Sequence, residues 1–441
     1  MSAGPAARVV PGGHWRWVIC ALLFLATTIN YMDRQVIGVL KPTLMAELRW
    51  GEIDYSNVVF AFQAAYALGY AGGGWFMDRV GVRFGYAMAV VLWSLAAMAH
   101  ALVRSVAGFC AVRALLGLAE GGNFPAAVKT VSEWFPRQER ALATGLFNAG
   151  SNVAVMLSPL LVLWLTATWG WPAAFLATGG LGLLWLFAWL PLYRAPQDHP
   201  RLSPAERDYI LRDAPDPAVT VPWPRLLRYR QTWAFIAGMM LVSPVWWFYL
   251  FWVPGFLHQR HGLKLLELGP PLIVIYLLAD VGSIGGGWLS GWLGRRGWSL
   301  NAARKTAMLV CALAVVPVAG AAVTANPWTD TLLIGLAAAA HQGFSANLYT
   351  LVSDTAPRFT VSSIVGIGGL AAGIGGMFNA KLTGYVLEWT GNYLPLFILA
   401  SVSYLFALGI VHWLNPRLEP MHLAAPPVCV PGRSRSRSGP P

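Results

Sequence analysis

Recurrence constrains this chain more than any single motif. Apolar stretches of about 20 residues follow one another along nearly its whole length, and each is long enough to cross about 30 Å of hydrocarbon as a helix. Twelve segments are read: 15–40, 56–77, 82–103, 106–130, 141–166 and 171–193, then 231–256, 267–293, 306–325, 328–350, 362–386 and 393–414. Backbone that lies in lipid must satisfy its polar groups internally, and a helix does so. Composition agrees, with 56% hydrophobic and 11% charged residues in 441, against roughly 25% charged for soluble domains. A soluble enzyme, a secreted disulfide scaffold and a disordered chain are excluded. The expected class is an all-α polytopic membrane protein with twelve transmembrane helices. The first segment is too long for a signal peptide and has many successors, so it is read as a retained helix.

The net charge of +12 would suggest nucleic acid only if the basic residues formed one face. They are distributed among loops instead. With an even number of crossings, both termini and the central loop share one side. That side carries 22 Lys or Arg, while the opposite loops carry only Lys41, Arg49, Arg104, Arg260 and Lys264. The asymmetry predicts cytoplasmic termini for a plasma-membrane protein. It also accounts for the basic composition without DNA. Cys20, Cys110, Cys311 and Cys429 form no metal-type pair, so no metal site or disulfide framework is expected. No HExxH, GxSxG or Walker-type loop is present, which argues against a membrane enzyme.

The chain repeats. Ser132-Glu133-Trp134-Phe135-Pro136-Arg137 matches Ser353-Asp354-Thr355-Ala356-Pro357-Arg358 at an offset of 221 residues. Gly74-x3-Asp78-Arg79-x-Gly81-x-Arg83 has a decayed echo in Gly287-x3-Gly291-Trp292-x-Gly294-Arg295-Arg296. Two six-helix halves in one orientation are the architecture of a transporter that rocks around a central site. The expected organisation is a tail at 1–14, bundles at 15–193 and 231–414, a cytoplasmic linker at 194–230 and a disordered tail at 415–441. Within the linker, Ser203 to Arg212 predicts one short surface helix.

Charges inside apolar segments need a reason, since each costs about 2.5–3.5 kcal/mol on insertion scales. Segment 1 carries Asp33 and Arg34, and segment 4 carries Arg113 and Glu120. Counting about 1.5 Å per residue places the two arginines at similar depth, with Glu120 two turns below Arg113 on one face. Two guanidiniums facing one cavity form a receptor for a carboxylate. Asp33 and Glu120 are the candidate proton carriers, because burial and a neighbouring arginine act on a carboxyl in opposite senses. Glu120 is expected to compete with the substrate for Arg113. Further polar candidates are Gln63 and Tyr66 in segment 2, Asn148 and Ser151 in segment 5, His341 and Gln342 in segment 10, and Asn379 in segment 11. Any of these could equally serve as helix–helix glue. Trp246 and Trp247 are central enough in segment 7 to offer a sugar an aromatic face.

The loop Gly74-x3-Asp78-Arg79-x-Gly81-x-Arg83 resembles the hallmark of the major facilitator superfamily. That resemblance implies a conformational latch at these five residues rather than a substrate contact. Asn30-Tyr31-x-Asp33-Arg34, Arg113-x6-Glu120 and Phe147-Asn148-x-Gly150-Ser151 resemble the anion:cation symporter family. Ala279-Asp280-Val281-Gly282 and Ala340-His341-Gln342 are similar to bacterial hexuronate transporters. The resemblance implies proton-driven uptake of a small anionic sugar acid such as glucuronate or galacturonate, with Asp33 and Glu120 taking protons and Arg34 and Tyr66 touching substrate. It leaves room for an aldonate or aldarate, and for a facilitator or exchanger without protons. No cofactor beyond the proton gradient, no nucleic acid and a functional monomer are expected.

Overall fold

A computed structural model describes residues 13–212, 221–357, 360–421 and 423; the side chains of Asp78, Arg137, Gln138, Ala141 and Ser362 lie outside that description. Among the described residues there are sixteen α-helices and no strand. In chain order they are α1 (Trp15–Val39), α2 (Lys41–Leu48), α3 (Glu52–Val80), α4 (Val82–Ala99), α5 (Val106–Glu120), α6 (Asn123–Trp134), α7 (Arg137–Trp169) and α8 (Trp171–Leu192). There follow α9 (Pro204–Leu211), α10 (Trp223–Leu226), α11 (Arg230–His261), α12 (Gly269–Arg295), α13 (Leu300–Val315), α14 (Pro327–Thr355), α15 (Val361–Thr390) and α16 (Leu394–Leu414). All twelve apolar segments are helical, and most of the helices overrun them by a turn or less.

Nine described helices are long and apolar enough to cross a membrane by length and composition. The other crossings are α3, the α5–α6 pair and α14. These are the ones diluted by polar residues or broken at Gly121-Gly122, and they carry Gln63, Tyr66, Arg113, Glu120 and His341. Below, the end of the bundle where both described termini lie is called the terminal end, and the opposite end the distal end.

The sequence repeat reappears as packing. Helix α3 lies on α5 as α12 lies on α14, α1 on α7 as α11 on α15, and α4 on α8 as α13 on α16. Small residues let these backbones touch. A Cβ on Gly73 would come 3.0 Å from the Cα of Gly122 on the α5–α6 side, and Gly286 meets Gly343 in the same way in the second half. The halves meet where α3 lies along α15, α1 against α11 and α7 against α12. Gly81, at φ +82°, turns the chain from α3 into α4 in one residue, a backbone geometry that glycine alone adopts cheaply.

The first part of the linker is built into the first half. Ser203 caps α9 by accepting the Glu206 N–H at 3.2 Å, and Pro204 opens the helix. Glu206, wholly buried, accepts from Arg16 Nη1 at 3.1 Å and from the backbone N–H groups of Trp15 and Arg16 at 3.4 and 3.3 Å. It thereby satisfies the start of α1 from the far side of the sequence. Arg16 Nε also reaches Glu139 at 2.9 Å. His199 sits between Trp15 and Trp134, with ring centres 4.9 and 5.3 Å away, and burial holds its imidazole below the ordinary value. The basic tail expected to be disordered lies outside the described residues, apart from its first few.

Candidate functional site

Side chains on a helix lean toward its N-terminus. Helix α1 rises from the terminal end to the distal end and α5 descends, so arginines at matched depth send their guanidiniums in opposite directions. Arg34 leans back to Asn30, donating from Nη2 to Oδ1 at 3.3 Å, and its Nε meets Glu120 Oε2 at 3.0 Å. Arg113 leans the other way and donates from Nη2 to the Arg34 carbonyl at 2.9 Å. The expectation that Glu120 competes for Arg113 is therefore corrected: its partner is Arg34. Two turns of one helix separate Arg113 from Glu120 by about 10 Å, too far for a direct pair.

Arg34 is enclosed by aromatic rings. Its Cζ lies 4.4 Å from the centre of Tyr31, 4.5 Å from Tyr66 and 5.4 Å from both Phe62 and Trp247. Tyr31, Phe62 and Tyr66 belong to the first half, and Trp247 reaches over from α11 in the second. Such contacts stabilise a guanidinium without neutralising it, so its edge stays competent to bind a carboxylate. Arg34, Glu120 and Asp33 are 3%, 1% and 1% exposed, and Arg113 is wholly buried. Arg113 thus grips the main chain of α1 behind the cluster and presents nothing to a cavity in this state. Its Nε and Nη1, one oxygen of Glu120 and both oxygens of Asp33 have no hydrogen-bond partner. Glu120 is the last residue of α5, and the turn that follows at Gly121-Gly122 interrupts the helix beside the ion pair.

The remaining expected residues divide. Gln63 is buried at the α3–α15 seam, its amide without a partner and its Oε1 2.7 Å from where a Cβ on Gly376 would stand. Tyr66 belongs to the cluster. Asn148 is exposed on α7, and Ser151 Oγ donates to its carbonyl at 2.7 Å. His341 lies inside the second half, stacked on Trp246 at 5.1 Å and bonded through Nδ1 to the Tyr404 hydroxyl at 2.7 Å. Gln342, next to it on α14, is half-buried. Asn379 is not brought to the cluster: it donates to the Pro244 carbonyl at 3.2 Å and lines an apolar groove of about 610 Å³ between α11, α15 and α16.

Of the latch residues, Gly74 sits in the last turns of α3, Arg79 lies 5.6 Å over the Trp75 ring, Gly81 makes the turn, and Arg83 donates to the Leu190 carbonyl at 2.6 Å. The side chain of Asp78 lies outside the described residues. In the second half, Arg304, at offset 221 from Arg83, pairs with Asp354 at 3.0 Å and with Ser290 at 2.9 Å. Sequence reasoning left Tyr31 and Phe62 out of the site. Each is three or four residues before a chosen one, Arg34 or Tyr66, and that helical spacing was the available signal.

Comparison with known proteins bears on the family and the fold. The family profile described as Major Facilitator Superfamily matches residues 23–378. A protein of Escherichia coli K12 named a hexuronate transporter is 34% identical over 402 residues, covering 90% of this chain and 93% of the relative. A D-galactonate transporter of Escherichia coli O6:H1 is 30% identical over 412 residues, covering 90% and 95%. A crystal structure of a bacterial homolog to the human lysosomal transporter Spinster, inward-facing and occupied, superposes with a TM-score of 0.72 at 19% identity, covering 92% of this chain and 98% of the other.

Proposed function

The chain belongs to the Major Facilitator Superfamily, and from that premise we propose that it imports an anionic sugar acid, a hexuronate foremost, in symport with protons. It is a multi-pass membrane transporter and not an enzyme. The resemblance to hexuronate and galactonate transporters supports a sugar acid as cargo. The reading places both termini in the cytoplasm, on the 22-to-5 division of Lys and Arg among the loops, and the protein in a bacterial inner membrane, on its likeness to transporters of Escherichia coli.

One observation carries the mechanism: Arg34, in an aromatic enclosure contributed by both halves, is paired at 3.0 Å with Glu120. A substrate carboxylate and Glu120 compete for the same cation. Protonation of Glu120 removes the competitor and leaves the guanidinium edge to the incoming anion. Loss of that proton on the cytoplasmic side restores the ion pair and favours release. Tyr31, Tyr66 and Trp247 supply flat surfaces for the C–H faces of a sugar ring. Asp33 is the second proton carrier, since leaving an unpartnered carboxylate ionised in this interior is costly. Arg113 acts by holding the Arg34 main chain in place.

The test is uptake by purified protein in liposomes, with hexuronates, aldonates and aldarates offered under an imposed pH gradient. Accumulation of glucuronate or galacturonate driven by an acidic exterior is expected. Uptake that equilibrates without responding to the gradient would indicate a facilitator or exchanger, and preference for galactonate would move the substrate to an aldonate.

A further inference from the structure

Several of the contacts that join the two halves toward the distal end gather around one buried cation. Lys41, the first residue of α2, is 1% exposed. Its ammonium donates to Glu52 Oε1 at 2.8 Å and to the Tyr393 hydroxyl at 3.1 Å. It lies 5.2 Å from the ring centre of Tyr55 and 6.0 Å from that of Trp252. A Cβ on Gly255 would stand 2.7 Å from Lys41 Cδ, so α11 closes directly over the side chain. Nearby, the Tyr55 hydroxyl donates to the Phe251 carbonyl at 2.8 Å. Glu388, at the distal end of α15, accepts the N–H of Glu52 at 2.8 Å and so caps α3 from the opposite half.

Ownership of these groups decides the physics. Lys41, Glu52 and Tyr55 belong to the first half; Trp252, Gly255 and Tyr393 belong to the second. When the halves part at this end, Lys41 keeps its ion pair with Glu52 and regains water, losing the Tyr393 hydroxyl and the ring faces of Trp252 and Tyr393, 6.0 and 5.7 Å away. Closing reverses the exchange and strips an ammonium of its hydration. Burial pushes Lys41 below its ordinary value while Glu52 beside it pulls the other way, as such an exchange requires. A methionine of similar length would fill the same aromatic pocket without that penalty once Glu52 is neutralised with it, since Lys41→Met alone would strand the Glu52 carboxylate, whose other oxygen has no partner.

We propose that Lys41 is the destabilising element of the distal gate: a cation that biases the shut gate toward reopening, opposed by the Tyr393 hydroxyl. The two residues then have opposite signs. Removing the buried charge together with its counter-ion (Lys41→Met with Glu52→Gln) favours the shut gate, and removing the opposing hydroxyl (Tyr393→Phe) favours the open one. A mere strut would open the gate in both cases.

The experiment uses the full chain in lipid nanodiscs with its native cysteines replaced, and spin labels on cysteines at Ala46 of α2 and Gln259 of α11, both exposed. The distance distribution gives the ratio of open to shut gate without substrate, so its outcome is independent of the sugar-acid reading. Tyr393→Phe is expected to raise the ratio about tenfold, the equivalent of one hydrogen bond to a charged group. Lys41→Met with Glu52→Gln is expected to bring it below the wild-type value. Lys41→Gln with Glu52→Gln, which keeps a donor but neither charge, serves if the methionine variant does not fold. A rise in the ratio on removing the Lys41 and Glu52 charges together, or no change in either variant, overturns the proposal.

Discussion

Arg34→Ala removes one member of a buried pair whose other member, Glu120, has a fully buried side chain. Breaking such a pair by deleting one partner costs about 3–5 kcal/mol, most of it the cost of the stranded charge. The single variant is therefore expected to lose several degrees of thermal stability in detergent. Glu120→Gln strands Arg34 instead, but Asn30 and four aromatic rings still hold that guanidinium, so its loss is the smaller. The double variant leaves no uncompensated charge. It should recover about 2–3 kcal/mol relative to the sum of the singles, a coupling typical of residues in direct contact. None of the three should accumulate sugar acid. The assay is a double-mutant cycle on thermal midpoints read by size-exclusion fluorescence, with uptake measured on the same preparations. Additive losses, or wild-type uptake by the rescued double variant, would show that the pair is neither the stabilising contact nor the substrate's anchor.

Arg113→Ala is expected to abolish transport by releasing the Arg34 carbonyl; normal turnover would remove Arg113 from the account. Gly81→Ala forces a Cβ onto a backbone at φ +82°, a strain of about 1–3 kcal/mol, and should slow cycling while equilibrium binding stays within about twofold; equal turnover would contradict this. Glu206→Ala strips Arg16 and the first N–H groups of α1 of their acceptor. It should expose the linker to limited proteolysis, with binding retained, and an unchanged cleavage rate would refute the docking of α9.

Much of this was legible because lipid leaves few choices. Twelve apolar segments and an internal repeat are consequences of hydrocarbon thickness and duplication, and both can be read locally. The charged residues of the site could be named because hydrocarbon tolerates so few of them. Their pairing could not, since depth counted along a helix fixes Cα atoms while the lean of the side chain decides which groups meet. Arg34 and Arg113 show this, as their guanidiniums diverge from similar depths. His341 and Asn379 show the complementary difficulty: helical rotation, set by packing against Tyr404 and Pro244, decides whether a polar residue faces the centre. The distal gate was invisible for a different reason. Lys41 and Tyr393 are 352 residues apart, and no periodicity links them.

The central claim is that substrate and Glu120 compete for Arg34 and that a proton decides between them. The most direct measurement is equilibrium affinity for glucuronate between about pH 5 and 8, in wild type and Glu120→Gln. Binding favours the protonated form of Glu120, so wild-type affinity is expected to tighten as pH falls. Glu120→Gln is expected to bind with a flattened dependence and without accumulation under a pH gradient. An identical slope in both proteins would contradict the account and place the coupling proton elsewhere.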